Sequence, residues 1–204
     1  MYGVADYGAF VLAVIVFLAV PGPGNLALLT STAKGGVRGG LAAACGVILG
    51  DQVLMWLAVG GVAALLRASP LFFGAIQWLG AAYLAWLGLR MLFVRADSAP
   101  VVNITPGHYL RQAMAITLLN PKAIMFYMAF FPLFVDPEQH RGLPTFAFMA
   151  GTIAVLTFLY CLSAISLARW LAAYLGKHPG IPRLLTRCAG FLLIGFGIRL
   201  IAAR

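Results

Sequence analysis

The 204-residue chain is 63% apolar and only 9% charged, and its formal net charge is +9. Soluble domains are about 45–50% apolar and about 25% charged, so this composition excludes a water-soluble protein and predicts an integral membrane protein. The basic residues lie mostly in short polar breaks, which argues against nucleic-acid binding and favours contact with anionic membrane lipid.

Six apolar segments, separated by charged, glycine-rich and proline-rich breaks, run the length of the chain. A membrane-spanning helix needs about 20 predominantly apolar residues, so each segment is expected to form one such helix. The first segment lacks the basic leading region of a cleaved signal peptide and is expected to be retained. The segments are Tyr7 to Ser31, Gly39 to Leu66, Leu71 to Phe93, Tyr109 to Val135, Leu143 to Tyr174 and Ile181 to Ala203.

The longest polar break, from Arg95 to His108, divides these segments into three plus three. We therefore expect a first three-helix repeat at residues 1–94, a linker at 95–108 and a second repeat at 109–204. Three spans bring the chain to the opposite face, so the second half would enter the membrane inverted relative to the first. The predicted fold class is all-α, with six transmembrane helices arranged as two inverted three-helix repeats in one membrane domain.

Lysine and arginine are unevenly distributed between the loops. Nine lie in the first, third and fifth loops and four on the other side, while Lys122 falls inside the fourth segment. Cytoplasmic loops carry the excess of basic residues in membrane proteins. The odd-numbered loops are therefore expected in the cytoplasm and both termini outside.

Each half begins with a helix that proline interrupts. The first contains PGPGN, from Pro21 to Asn25, and the fourth contains NPK, from Asn120 to Lys122. A proline removes a backbone donor and frees a carbonyl one turn earlier, which in hydrocarbon needs a partner or a cavity. One break alone would indicate only a kinked helix, since proline and glycine are common in spanning helices. Matching breaks in two inverted halves indicate the substrate site of a transporter.

Two charged residues, Asp51 and Lys122, are expected well inside the membrane. An ionised side chain at the bilayer centre costs at least ~2.5–3.5 kcal/mol, so each must face the bundle interior, find a partner or lose its charge. One interpretation is a structural ion pair between them. The other is that Asp51 binds and releases a proton during transport, while Lys122 tunes that step or contacts a carboxylate.

The remaining features indicate packing rather than chemistry. Gly46 and Gly50 form a small-residue face suited to close helix contact. The three cysteines lie in apolar runs without metal-ligand spacing, and the three histidines lie in loops, so no metal site, cofactor or catalytic residue is expected. The glycine faces could pack within or between protomers, which leaves homo-oligomer formation open.

An ordered set of motifs covers nearly the whole chain: PGPGNLALL with the downstream GGVRGGLAAACGVILGD, then LGAAYLAWLGLRML, then LLNPKAIMFYMAFFPLFV. In this order and spacing they resemble the LysE/RhtB family of bacterial amino-acid exporters. The resemblance implies a six-helix carrier of the inner membrane that expels amino acids or their derivatives. Family members handle lysine and arginine, or homoserine, threonine and leucine. One departure from the family pattern is Gly24, which precedes the asparagine of the first motif.

We therefore expect a proton-coupled amino-acid exporter, not an enzyme, with its substrate site between the two broken helices. A neutral substrate is favoured over a basic one, because a single buried acid lies beside a buried lysine. Specificity for the substrate's side chain would come from residues such as Tyr83, Gln77, Thr117 or Tyr127. The alternatives are an exporter of metal ions or other small solutes from the same superfamily, or a non-transporting membrane scaffold. The expected site residues are Asp51 for proton coupling and, for substrate binding, Pro21, Gly22, Pro23, Asn25, Tyr83, Asn120, Pro121 and Lys122.

Overall fold

The computed structural model describes residues 3–20, 22–68, 103–130, 134–135 and 142–177, together with the single positions 82, 86, 89, 191 and 194. Throughout this part of the chain the regular structure is helical. The predicted third and sixth segments lie almost entirely outside the described residues, as do Pro21 and Tyr83. The count of six helices therefore stays a prediction.

The first helix is interrupted at the position that the sequence predicts. Helix α1 (Tyr7–Ala19) begins after Asp6, whose carboxylate accepts a hydrogen bond from the backbone N–H of Ala9 at 2.9 Å. It ends where Val20 turns to an extended conformation, with φ −66° and ψ 119°. Helix α2 (Pro23–Ala68) then begins with a proline, which suits a first helical position because its missing N–H would have no partner there.

Helix α2 consists of two limbs, residues 23–35 and 37–68, which meet at Gly36. Gly36 has φ 60° and ψ −155°, a conformation that side-chain-bearing residues rarely adopt, and the chain reverses there. A Cβ atom at Gly39 would lie 2.5 Å from the carbonyl oxygen of Ser31, so the limbs touch backbone to backbone just after the turn. This turn separates the first two predicted segments.

The fourth predicted segment is also broken. Helix α3 (Tyr109–Leu118) stops before Asn120, and helix α4 (Pro121–Met125) starts directly after it. A π-helical turn (Phe126–Phe130) continues α4. Helix α5 (Leu143–Lys177) follows and corresponds to the fifth predicted segment.

Glycines in the second limb of α2 allow α3 to approach closely. A Cβ atom at Gly46 would collide with the backbone carbonyl of Leu110, and one at Gly50 would lie 2.8 Å from Cβ of Thr117. These residues stand one helical turn apart, so they form the packing face that their spacing predicts. The contact brings the end of α3, and therefore the second break, against the second limb of α2.

The outer surface of the helices is apolar. Within the described residues, two helical stretches, Pro23–Gly61 and Leu143–Ala168, are long and apolar enough to cross a membrane. Large apolar side chains are exposed along both, which in a membrane places them against lipid: Leu41, Leu49, Val53, Trp56 and Leu57 on α2, and Val155, Phe158, Leu159 and Leu167 on α5.

The substitution Gly46→Ala is expected to destabilise the protein by about 1–3 kcal/mol, because overpacking forces α2 and α3 apart. The measurement is the free energy of unfolding in detergent micelles. Gly60→Ala is the matched control, since a Cβ atom at Gly60 of the same limb meets nothing within 4 Å. Equal stabilities for the two variants would contradict the packing argument.

Candidate functional site

A small cavity lies where the two helix breaks meet. Its volume is about 30 Å³, which is enough for about one water molecule. Typical small-molecule sites are about 300–1,000 Å³, so this cavity is too small for an amino acid and must widen to admit one. Glycines and apolar side chains form part of its wall: Phe17, Leu18, Gly22, Gly24, Val47 and Ala123. The polar residues on the wall are Asn25, Asp51, Thr117, Asn120 and Lys122.

The first wall of the cavity is the break between α1 and α2. Carbonyl groups at the end of α1 have no following helical turn to supply donors. The side-chain amide nitrogen of Asn25 donates to the carbonyls of Leu18 and Val20, at 3.0 and 3.1 Å. Asn25 therefore replaces missing backbone donors and holds the break in shape.

The second wall is the break between α3 and α4. The side-chain oxygen of Asn120 accepts a hydrogen bond from the backbone N–H of Lys122 at 3.1 Å and so caps the start of α4. Pro121 occupies the first position of α4, where no backbone donor is required. This capping exposes a new helix beginning beside the cavity.

Lys122 joins the two walls. Its ammonium group donates to the carbonyl of Val20 at 2.6 Å and lies 4.4 Å from the centre of the Phe17 ring. A cation above an aromatic face gains electrostatic stabilisation from the ring quadrupole. A Cβ atom at Gly22 would lie 3.5 Å from this ammonium nitrogen, so the glycine leaves room for it.

Asp51 lies on the cavity wall and is 3% exposed. Its carboxylate is hydrogen-bonded to the hydroxyl of Tyr127, which the π-helical turn carries. The Thr157 hydroxyl lies beside the same carboxylate, but its geometry falls short of a hydrogen bond. Lys122 interacts with Asp51 electrostatically. The two intramembrane charges thus share one cavity, although the ammonium bonds directly to a backbone carbonyl.

The structure brings together most of the residues that the sequence singles out. Gly22, Asn25, Asp51, Asn120 and Lys122 all line the cavity, while Pro23 and Pro121 begin the helices beside it. The predicted positions Pro21 and Tyr83 lie outside the described residues.

Two residues at the site were absent from every sequence expectation. Phe17 lies under the Lys122 ammonium, and Thr157 lies beside Asp51. Both occur in uniformly apolar stretches, where no local signal distinguishes a cavity-lining residue from its neighbours. Only the spacing of Phe17, one turn before Pro21, hints that it flanks the break.

One family model and several relatives match nearly the whole chain. The family model described as LysE type translocator matches residues 15–204. The leucine efflux protein of Salmonella typhimurium is 36% identical over 204 residues, which cover 98% of this chain and 96% of the relative. An uncharacterised membrane protein of Pseudomonas aeruginosa is 37% identical over 209 residues, covering 98% of this chain and 97% of the relative. No solved structure matches the chain.

Removing one of the two intramembrane charges is expected to cost more than removing both. Lys122→Met leaves the buried Asp51 carboxylate without its nearby positive charge and the Val20 carbonyl without that donor, so it is expected to destabilise the protein. The double variant Lys122→Met with Asp51→Asn should recover at least ~1 kcal/mol of that loss. The measurement is a double-mutant cycle of unfolding free energies in micelles.

Lys34→Met is the control for this cycle. Lys34 is exposed and bonds to residues of the 103–104 segment, away from the cavity. Its effect should add to that of Asp51→Asn without coupling. Additive effects for Lys122 and Asp51 would show that the two charges do not act on each other.

Proposed function

Since the chain belongs to the LysE type translocator family, we propose that it exports neutral amino acids, with leucine as the first candidate, from the cytoplasm across a bacterial inner membrane. The observation that carries the proposal is the cavity between the two helix breaks, which gathers the predicted polar residues at one place. The relatives named leucine efflux protein support the choice of a neutral aliphatic substrate.

The chemistry of the cavity suits a zwitterion. A helix beginning carries a partial positive charge and free N–H groups, which attract a carboxylate, and α2 and α4 both begin beside the cavity. The carbonyls of Leu18 and Val20 are acceptors for an ammonium group. Lys122 already places a cation here, which disfavours a second cation on the substrate's side chain.

Two matching contacts support the inverted-repeat arrangement. Before α1, the backbone N–H of Ala5 donates to the carbonyl of Phe134 at 3.0 Å, and Val4 pairs with Val135. Before α3, the carbonyl of Ile104 accepts from Lys34 at 2.9 Å. In each case the segment that leads into one broken helix bonds to residues at or beyond the end of the other broken helix.

These contacts fit an alternating-access mechanism in which one repeat rocks against the other. By the charge distribution of the loops, the Lys34 contact belongs to the cytoplasmic side and the Val4 contact to the outer side. Opening the cavity toward either side requires the contact on that side to separate. Asp51 couples the cycle to protons by binding a proton when the cavity faces the acidic outer side and releasing it when the cavity faces the cytoplasm.

Asp51→Asn is expected to abolish export driven by a proton gradient while leaving exchange of labelled for unlabelled leucine in place. An amide cannot carry the proton, but it preserves the size of the side chain and its hydrogen-bonding capacity. The measurement is leucine flux from proteoliposomes with and without a gradient, repeated with a panel of amino acids. Asp6→Asn is the control, because Asp6 caps α1 at the exposed chain start. Gradient-driven export that survives Asp51→Asn would exclude the proton role.

Joining Val4→Cys to Val135→Cys by a disulfide is expected to stop transport and to release it on reduction. Opposed residues of an antiparallel bridge have Cα atoms about 4.5–5.5 Å apart, within the range that a disulfide spans. The test is leucine exchange in a variant whose native cysteines are replaced, before and after treatment with a reductant. Either single-cysteine variant provides the control. Undiminished exchange in the fully cross-linked protein would show that transport does not require Val4 and Val135 to separate.

A further inference from the structure

The hydroxyl group of Thr117 is buried in the cavity wall without a hydrogen-bond partner. Thr117 is 2% exposed, lies in the last turns of α3 and lines the cavity. A buried hydroxyl that makes no hydrogen bond has lost its hydration without replacement, which costs stability. A threonine in a helix can satisfy its hydroxyl by donating to a carbonyl of the preceding turn, so the missing hydrogen bond of Thr117 calls for an explanation.

Ser31 and Thr157 also carry buried hydroxyl groups without a partner, but of the three residues only Thr117 lines the cavity. Three further hydroxyl groups on the described helices are satisfied within their own helix. Thr32, Thr152 and Ser163 each donate to the carbonyl four residues earlier, at 2.8, 2.9 and 2.8 Å. This back-bonding is the usual solution for serine and threonine in a helix. Thr117 does not use it, and its oxygen is held toward the cavity instead.

The Thr117 oxygen faces the beginning of α2. A Cβ atom at Gly24 would lie 3.7 Å from it, so the glycine leaves the backbone of the first turn of α2 accessible. The backbone N–H groups of Gly24 and Asn25 belong to this turn, where helix geometry provides no acceptor. On the opposite side Thr117 packs against Gly50, which fixes its position. The Thr117 hydroxyl therefore lies beside the first turn of α2, whose leading backbone N–H groups lack acceptors within the helix.

We infer that Thr117 and the first turn of α2 form the binding site for the substrate's carboxylate group. This inference rests on the proposed function and assigns the residues that bind the carboxylate of the exported amino acid. The other charges on the wall are already engaged, because Asp51 bonds to Tyr127 and Lys122 bonds to Val20. Neither needs to leave its partner for a carboxylate to reach Thr117. The apolar residues Leu18, Val47 and Ala123 remain for an aliphatic side chain.

The test compares leucine with leucinamide, which lacks the carboxylate. Both compete against labelled leucine in an exchange assay with proteoliposomes. Wild-type protein should prefer leucine strongly. Thr117→Val keeps the shape but removes the hydroxyl, and it should weaken competition by leucine about tenfold or more while leaving competition by leucinamide unchanged. Thr117→Ser should behave like the wild type.

Thr32→Val is the matched control, since it removes a buried hydroxyl that already has a partner in its own helix. It should keep the wild-type ratio between the concentrations of leucine and leucinamide that compete equally well against labelled leucine. Should Thr117→Val fold poorly, Thr117→Ala removes the same hydroxyl with a good helix former, and the ratio is measured on that variant.

An unchanged ratio in a hydroxyl-free variant that still exchanges leucine would overturn the carboxylate assignment and leave the export function standing. Failure of the wild type to exchange any amino acid would overturn the proposed function and this inference together. The two failures are distinguishable, because the second appears before any residue is changed.

Discussion

The fold depends on the need to supply hydrogen-bond donors to carbonyl groups released at a helix break, because lipid offers none. At the end of α1, the Val20 carbonyl accepts hydrogen bonds from the Lys122 ammonium at 2.6 Å and the Asn25 amide at 3.1 Å. The Leu18 carbonyl accepts one from the same Asn25 amide at 3.0 Å. Neither donor residue belongs to α1. The first break is therefore stabilised by hydrogen bonds from both α2 and α4.

The same bonds explain why the cavity is narrow yet suited to widening. The groups that satisfy the break are side chains, and side chains can exchange partners more readily than a continuous helix can unwind. A bound zwitterion brings its own donors and acceptors to the carbonyls and helix beginnings on the wall. The hydrogen bonds lost as the cavity widens would thus be replaced by bonds to the substrate, and the cost of opening would fall when substrate is present.

Glycines determine how closely these parts approach. Gly46 and Gly50 bring α3 against α2, and Gly22 and Gly24 leave space for Lys122 and for the Thr117 hydroxyl. Gly24, the one departure from the family motif, leaves the first turn of α2 accessible. The second limb of α2 carries both the packing glycines and Asp51, so the intramembrane acid is positioned by the same contact that docks the second break.

The sequence by itself determined the membrane setting, the two proline breaks, the two intramembrane charges and the packing face of Gly46 and Gly50, because each leaves a local signal in composition or spacing. It also carried the motifs of the LysE type translocators, and the family match confirms that resemblance. Only the tertiary structure decided what the side chains do. Asn25 and Lys122 supply α1 with donors, Tyr127 bonds to Asp51, and Thr117 is left without a partner. These roles depend on contacts between residues far apart in the sequence, and an apolar sequence pattern carries no signal of such contacts.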